Sequence, residues 1–259
     1  MRKTVLDLGS TSDLIGDSSD NTTTTGTTDN TTTTDNTTTT DNTTTSSSDN
    51  SSSSSSGLFV AVGASGNILR STNNGSSWDN ATSPTATNLR GVTFGNNTFV
   101  GVGESGTIVR STDNSSSFDN ATSPTTTNLA KVTFGNNTFV GVGVSGNIVR
   151  STDNGSSWDN ATSPTGNYLY GVTFGNNTFV AVGLSGNIVR SSDNGSSFDN
   201  ATNSNTTSLL RVTFGNNTFV AVGLLGNIVR STDNGSSWDN ATTPTSNHLY
   251  GVTGVTFSE

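Results

Sequence analysis

Residues 171–202 read G-V-T-F-G-N-N-T-F-V-A-V-G-L-S-G-N-I-V-R-S-S-D-N-G-S-S-F-D-N-A-T. The stretch parses into four short strands separated by turns. Gly171–Phe174 is the first strand, closed by Gly-Asn-Asn, where asparagine tolerates the positive φ of a tight hairpin. Thr178–Val182 is apolar on both faces, the pattern of a strand sandwiched between neighbours. Asn187–Ser191 follows a glycine-rich turn, and a short fourth strand around Phe198–Ala201 follows Asp193-Asn194-Gly195. No segment has a helical period.

Working outward, the same unit recurs at a 40-residue step, five times between Gly57 and Glu259. Periods of this length, rich in short strands, are the mark of a β-propeller. The expected fold is therefore all-β, a five-bladed propeller spanning residues 57–259. The repeats begin in a second strand, Gly57-Leu58-Phe59, and end in a first strand, Gly254-Val255-Thr256-Phe257. Both termini are thus expected to share one blade, which would leave no open edge. Gly251-Val252-Thr253 directly precedes Gly254-Val255-Thr256, so the closing strand has two registers available, three residues apart. A closed ring implies a monomer; exchange of that strand between two chains is the other arrangement.

Composition divides the chain at residue 56. Residues 1–56 are Ser, Thr, Asn and Asp with few apolar side chains, and two Lys/Arg against eight Asp give a net charge of −6. Such a segment cannot offset its ordering entropy and is expected to be a disordered tail or stalk. Residues 57–259 have a net charge of −3, from eight Lys/Arg against eleven Asp/Glu. An acidic chain with scattered cations has no footprint for nucleic acid. The absence of Cys excludes disulfides and thiolate metal sites. No apolar run is long enough to span a bilayer, and Met1-Arg2-Lys3 is followed by no apolar stretch of the kind a signal peptide needs. A polar stalk on a propeller nevertheless points to a cell-surface, extracellular or periplasmic setting.

The turn between third and fourth strands reads S-T-D-N-G-S-S-W at Ser151–Trp158. This resembles the Asp-box, the bacterial neuraminidase repeat, in which Asp accepts turn amides, Gly takes the positive φ and the aromatic packs between sheets. The other copies begin at Ser71, Ser111, Ser191 and Ser231. The key residues are Ser71 and Trp78; Asp113 and Phe118; Asp153, Gly155 and Trp158; Asp193, Gly195 and Phe198; Asp233, Gly235 and Trp238. Asn73 replaces the Asp in the first copy, and Ser115 replaces the Gly in the second. With N-N-T-F-V-A-V-G ahead of it, the whole unit resembles the photosystem II stability/assembly factor-like propellers. That resemblance implies a protein-binding or assembly role, although Asp-boxes also occur in sialidases and other glycoside hydrolases.

Five-fold repetition is what a structural turn requires, whereas a catalytic site needs different residues converging at one place. Arg70, Arg110, Arg150, Arg190 and Arg230 recur just before each turn, where a local pair with the Asp or a carbonyl is expected. Glu104 and Glu259 are the only Glu residues, and no pair of facing carboxylates of the glycosidase type is apparent. Neither a metal-ligand cluster nor a cofactor motif is present, and no catalytic residue is assigned. His248, the single His, reads as a loop or rim residue.

The informative positions are those where the copies differ. One set lies between second and third strands: Ala64, Glu104, Val144, Leu184 and Leu224. The other lies where the inter-blade link enters the next first strand: Arg90; Ala130 and Lys131; Tyr168 and Tyr170; Leu210 and Arg211; His248 and Tyr250. In a four-stranded meander both sets emerge on one face. Loop drift after duplication would also vary these positions. Tyr, Arg and Leu, however, are what an interface recruits. The candidate binding residues are therefore Arg90, Glu104, Lys131, Tyr168, Tyr170, Leu184, Leu210, Arg211, Leu224, His248 and Tyr250, facing a protein partner or, as the alternative, a glycan.

Overall fold

A computed structural model describes residues 57–254. The first blade holds β1 (Phe59–Val62), β2 (Ile68–Ser71) and β3 (Asp79–Asn80). The second holds β4 (Leu89–Gly95), β5 (Thr98–Gly103), β6 (Ile108–Ser111) and β7 (Asp119–Asn120). The third holds β8 (Leu129–Gly135), β9 (Thr138–Gly143), β10 (Ile148–Ser151) and β11 (Asp159–Asn160). The fourth holds β12 (Leu169–Gly175), β13 (Thr178–Gly183), β14 (Ile188–Ser191) and β15 (Asp199–Asn200). The fifth holds β17 (Leu209–Gly215), β18 (Thr218–Gly223), β19 (Ile228–Ser231) and β20 (Ser237–Asn240), with β16 (Thr202–Asn203) added parallel to β20. Each blade is an antiparallel meander. The architecture is that of a five-bladed all-β propeller.

The strand boundaries differ from the sequence reading, by one residue at the end of the second strand, Gly183, and the start of the third, Ile188, and by more in the first and fourth. The first strand of the fourth blade starts two residues earlier than Gly171, at Leu169. Its fourth strand is confined to Asp199–Asn200, so Phe198 packs from the end of the preceding turn. The tail expected over 1–56 and the closing residues 255–257 lie outside the described residues. Within them, Gly254 lies against Gly215, with its Cβ direction 3.6 Å from the Gly215 Cα.

The core sits between sheets. Every residue of β5, β9 and β13 is buried, as expected for strands with a neighbouring sheet on each side. Phe99, Phe139, Phe179 and Phe219 are almost fully enclosed, each pairing at 4.6 Å with Phe94, Phe134, Phe174 or Phe214 of its own blade. Full burial of such a side chain stabilises by about 1.5–3 kcal/mol. First strands of successive blades lie side by side, and glycine permits the approach. A Cβ on Gly95 would stand 2.0 Å from Phe134 Cγ, and Gly135 and Gly175 meet Phe174 and Phe214 in the same way.

The outer rim is stitched as well. Thr82 N donates to Ser116 O at 3.2 Å, and Phe118 N donates to Thr82 O at 2.9 Å, tying one blade to the next. The first hairpin turns on Asn96 and Asn97 at φ 44° and 62°, and the pair repeats in every described copy.

Candidate functional site

The varied face is assembled from two loops held together by hydrogen bonds. Between the second and third strands, residues 64–67 form a tight turn with Ser65 at φ 55° and Gly66 at φ 69°. The amide of the second turn residue points at the incoming link. Ser65 N donates to Asn88 Oδ1 at 2.8 Å, Ser105 N to Asn128 Oδ1 at 2.9 Å, Ser185 N to Ser208 Oγ at 3.1 Å, and Leu225 N to His248 Nδ1 at 3.0 Å. Both variable sets therefore share one face. His248 has a defined task there: as acceptor at Nδ1, its ring carries the proton on Nε2.

A β-bulge then aims the variable side chains. In the second blade, Leu89 pairs with Gly103 and Gly91 with Val102, so Arg90 is the extra residue. Ala130, Tyr170 and Leu210 occupy the same bulge in the third, fourth and fifth blades. Bulges re-aim a side chain away from the alternation of a regular strand. Here, in four of the five blades, they free one individual residue from strand pairing at the varied end of the sheet.

Two clusters result. In the first, Arg90 Nη2 contacts Glu104 Oε1 at 2.5 Å, and Asn88 Nδ2 donates to Glu104 Oε2 at 3.2 Å. These hydrogen bonds, Arg90 first, hold the Glu104 carboxyl below its ordinary range. Tyr168 and Tyr170 stack at 4.3 Å with 38° between their planes. Burial raises the Tyr168 hydroxyl pKa. The intervening bulge residue is Ala130, the smallest side chain at that position.

The second cluster is apolar. Tyr250 is 69% exposed and meets His248 edge-on at 6.2 Å. Leu225, 64% exposed, sits in the left-handed conformation at φ 54°, and Leu224 is half-buried beside it. A bulky residue there costs about 1–2 kcal/mol, and exposure gives no packing in return. Sequence reasoning passed over Leu225, although the signal was available: the other four copies have Ser65, Ser105, Ser145 and Ser185. Leu184 is 40% exposed on its own turn. Lys131 and Arg211 stand at the start of β8 and β17, and Arg211 Nη1 donates to Leu210 O at 2.8 Å. Among the described residues, Glu104 is the one carboxylate of this face; the Asp residues stand in the opposite turns and the outer strands.

Those opposite turns are uniform. Ser151 Oγ donates to Asp153 Oδ1 at 2.8 Å, Gly155 N to Ser151 Oγ at 2.9 Å, and Ser157 N and Oγ to the same carboxylate at 3.0 and 2.6 Å. Burial pulls the Asp113, Asp153 and Asp193 carboxyls upward, but the serine hydrogen bonds outweigh it and bring each to about 2. In Asp233 the Ser237 bonds dominate, again giving about 2. Asn73 reproduces the arrangement without charge, accepting from Ser71 Oγ at 2.9 Å and Ser77 N at 3.0 Å. Ser115 holds the glycine position at φ 63°.

Two of the five recurring arginines reach across blades instead of pairing locally. Arg110 Nε donates to Asn154 O at 3.4 Å and Arg190 Nε to Asn234 O at 3.1 Å, both in the following blade. Arg70 and Arg150 Nε are buried with no partner among the described residues. The two satisfied arginines face turns that contain Trp158 and Trp238, whose indoles donate to Gly155 O and Gly235 O. The other two face turns that contain Phe118 and Phe198.

No group of His, Asp and Glu able to hold a metal ion occurs among the described residues, and no described helix is long and apolar enough to cross a membrane. No family model matches the chain, and no curated protein matches it. Solved structures do. A YCF48 bound to a D1 peptide shares 18% identity at a TM-score of 0.56, covering 71% of this chain and 63% of its own. YCF48 from Cyanidioschyzon merolae shares 15% at 0.57, covering 77% and 76%. An ancestral GH74 enzyme shares 17% at 0.59, covering 71% of this chain and 29% of its own. The chain thus spans less than two thirds of the first of these structures and under a third of the last. These likenesses establish the propeller fold.

Proposed function

We propose that this chain is a non-catalytic binding propeller that takes a protein partner on its varied face. The observation that carries this reading is that four blades each bring a different bulge residue, Arg90, Ala130, Tyr170 or Leu210, to one end of the sheets, while the opposite turns repeat. A frame that holds five turns constant and individualises the other end suits recognition of one asymmetric partner. The apolar cluster of Leu224, Leu225 and Tyr250 supplies the anchors, since exposed Tyr and Leu gain most from burial. A YCF48 propeller holding a peptide is a precedent for the fold in this role. A setting at the cell surface or in the periplasm, with residues 1–56 as a stalk, accords with the composition of that segment.

The GH74 likeness raises glycoside hydrolysis as the competing reading. Glu104, with its carboxyl held down by Arg90 and Asn88, is poorly suited to the raised pKa of a general acid. The test is a peptide-display selection on the full chain, with each selected peptide titrated calorimetrically against wild type and a Leu225→Ser/Tyr250→Ala variant. The expected result is affinity weakened by about tenfold or more, the scale of losing an interface anchor. Peptides that bind both proteins equally would sink this assignment, as would turnover of a glycoside substrate by the wild type.

A further inference from the structure

Successive blades meet through one repeated fit. The glycine of the outer turn rests on a valine in the second strand of the blade before it. A Cβ on Gly155 would stand 2.9 Å from Val100 Cγ2, one on Gly195 2.9 Å from Val140 Cγ2, and one on Gly235 2.8 Å from Val180 Cγ2. Those three valines are fully enclosed. Around them, Arg110 and Arg190 donate to Asn154 O and Asn234 O of the following blade. The amides of Thr82, Thr162 and Thr202 donate to the carbonyls of Ser116, Ser196 and Ser236. In the first and fifth blades the two halves of this fit are left over. Gly75 of the first blade has nothing within 4 Å of its Cβ direction, and Trp78 is half-buried where Trp158 and Trp238 are enclosed. In the fifth blade Val212 and Val220 are half-buried and Arg230 is exposed. Among the described residues, the fifth blade therefore does not seat on the first.

We infer that the exposed face of the fifth blade is a docking surface for the first blade of a second copy of this chain. Continuity with the interface between blades specifies that occupant. Val220 would take Gly75, Arg230 the Asn74 carbonyl, and the Thr242 amide the Ser76 carbonyl. Each pair is the next member of a series the chain already makes between its own blades. Residues 249–254 would arrive with the fifth blade, where Leu249 N donates to Gly223 O at 2.9 Å. They would reach the inner edge of β1, which pairs with β2 alone among the described residues. A strand edge of that kind is a template for a strand from another chain. Because two different faces meet, the contact is heterologous, and association runs head to tail instead of stopping at a symmetric pair. The varied faces of successive copies then stand in series, which gives avidity toward a partner with repeated epitopes.

The test is sedimentation velocity of the full chain across a concentration series. The mass of the wild type should rise from one chain toward dimers and longer oligomers. Gly75→Asn keeps a residue that accepts the left-handed φ but adds a side chain where the fit leaves no room, and Val220→Asp puts a charge at the centre of the other face. Each should move the association to concentrations about tenfold higher or more, the scale of losing an interface anchor. Leu225→Ser should associate as the wild type does while losing peptide binding, so this inference and the proposed function fail separately. The chain has no Cys, so Gly75→Cys and Val220→Cys proteins, mixed and oxidised, should yield a disulfide-linked pair carrying one of each. A single-chain mass at every concentration overturns the inference, as does a rise in mass that Gly75→Asn and Val220→Asp both leave intact. A cross-link formed within one chain of the Gly75→Cys/Val220→Cys double variant overturns it equally, since the fifth blade would then seat on its own first blade.

Discussion

Replacing Trp158 by Phe should convert the third blade into the type of its neighbours and isolate the energy of a single indole N–H. Trp158 is 5% exposed, and its Nε1 donates to Gly155 O at 3.1 Å. In the same turn the Asn154 carbonyl accepts from Arg110 Nε of the preceding blade. Facing the phenylalanine turns, Arg70 and Arg150 Nε have no partner among the described residues. The physical reading is that the indole, by holding the Gly155 carbonyl, fixes the turn so that the preceding Asn154 carbonyl is presented to the arginine. Loss of the indole bond costs about 1 kcal/mol, and a buried Nε left unpaired costs a further 1–3 kcal/mol or so. Trp158→Phe is therefore expected to cost about 2–4 kcal/mol, which for a domain of this size lowers the melting temperature by roughly 5–10 °C. Trp158→Ala, which also opens a cavity, should cost about 3–5 kcal/mol. The reverse change, Phe198→Trp, should give Arg150 its partner and be neutral or stabilising. Urea titration of wild type, the three variants and Trp158→Phe/Arg110→Met measures all of this. Additive effects of Trp158→Phe and Arg110→Met would refute the coupling, as would a Phe198→Trp protein destabilised by about as much as Trp158→Phe.

Three further outcomes follow from the same frame. The Asp113, Asp153, Asp193 and Asp233 carboxyls fall from an ordinary 3.8 to about 2 in the folded chain. Their stabilisation is therefore complete above pH 4 and lost as the pH falls toward 2; melting curves should show that loss, and a four-fold Asp→Asn variant that copies the uncharged turn of Asn73 should flatten it. Gly135→Ala would place a Cβ 2.0 Å from the Phe174 ring, and thermal denaturation should show a loss of about 1–3 kcal/mol, typical of overpacking. Ser115→Gly removes a left-handed non-glycine residue and should stabilise by up to about 1 kcal/mol in urea titration.

Much of the fold was legible because each blade repeats the same physical instructions. Asn-Asn announces the first hairpin, T-F-V-A-V a strand buried on both faces, and S-x-D-x-G the turn of the outer pair. The inter-blade contacts were less legible. That Arg110 would reach the next blade's Asn154, and not its own turn, depends on how one sheet packs on another, which no local spacing encodes. The bulge at Arg90, Ala130, Tyr170 and Leu210 was equally hidden, since an extra residue in a strand leaves no compositional mark. Leu225 was hidden only by emphasis: it breaks a column that is otherwise Ser, and the column was there to be compared.

The way the two varied loops are joined explains why the face can diversify without loss of the fold. The turn amide at Ser65, Ser105, Ser185 and Leu225 needs an acceptor from the link, and it takes one from Asn88, Asn128, Ser208 or His248. Three side-chain chemistries meet the same need, so the position is constrained in function but loose in identity. Immediately after it, the bulge residue is released from strand pairing and its side chain can change at little cost to the sheet. Tyr168 shows how far this tolerance extends: at the acceptor position of the link into the fourth blade stands a ring that packs on Tyr170 instead. Packing that stabilises the blades lies between the sheets, in the Phe pairs and the glycines they rest on, several residues away from these positions. Substitutions on the face should therefore alter recognition far more than stability, which is the property that lets Leu225→Ser serve as a clean probe of the proposed partner.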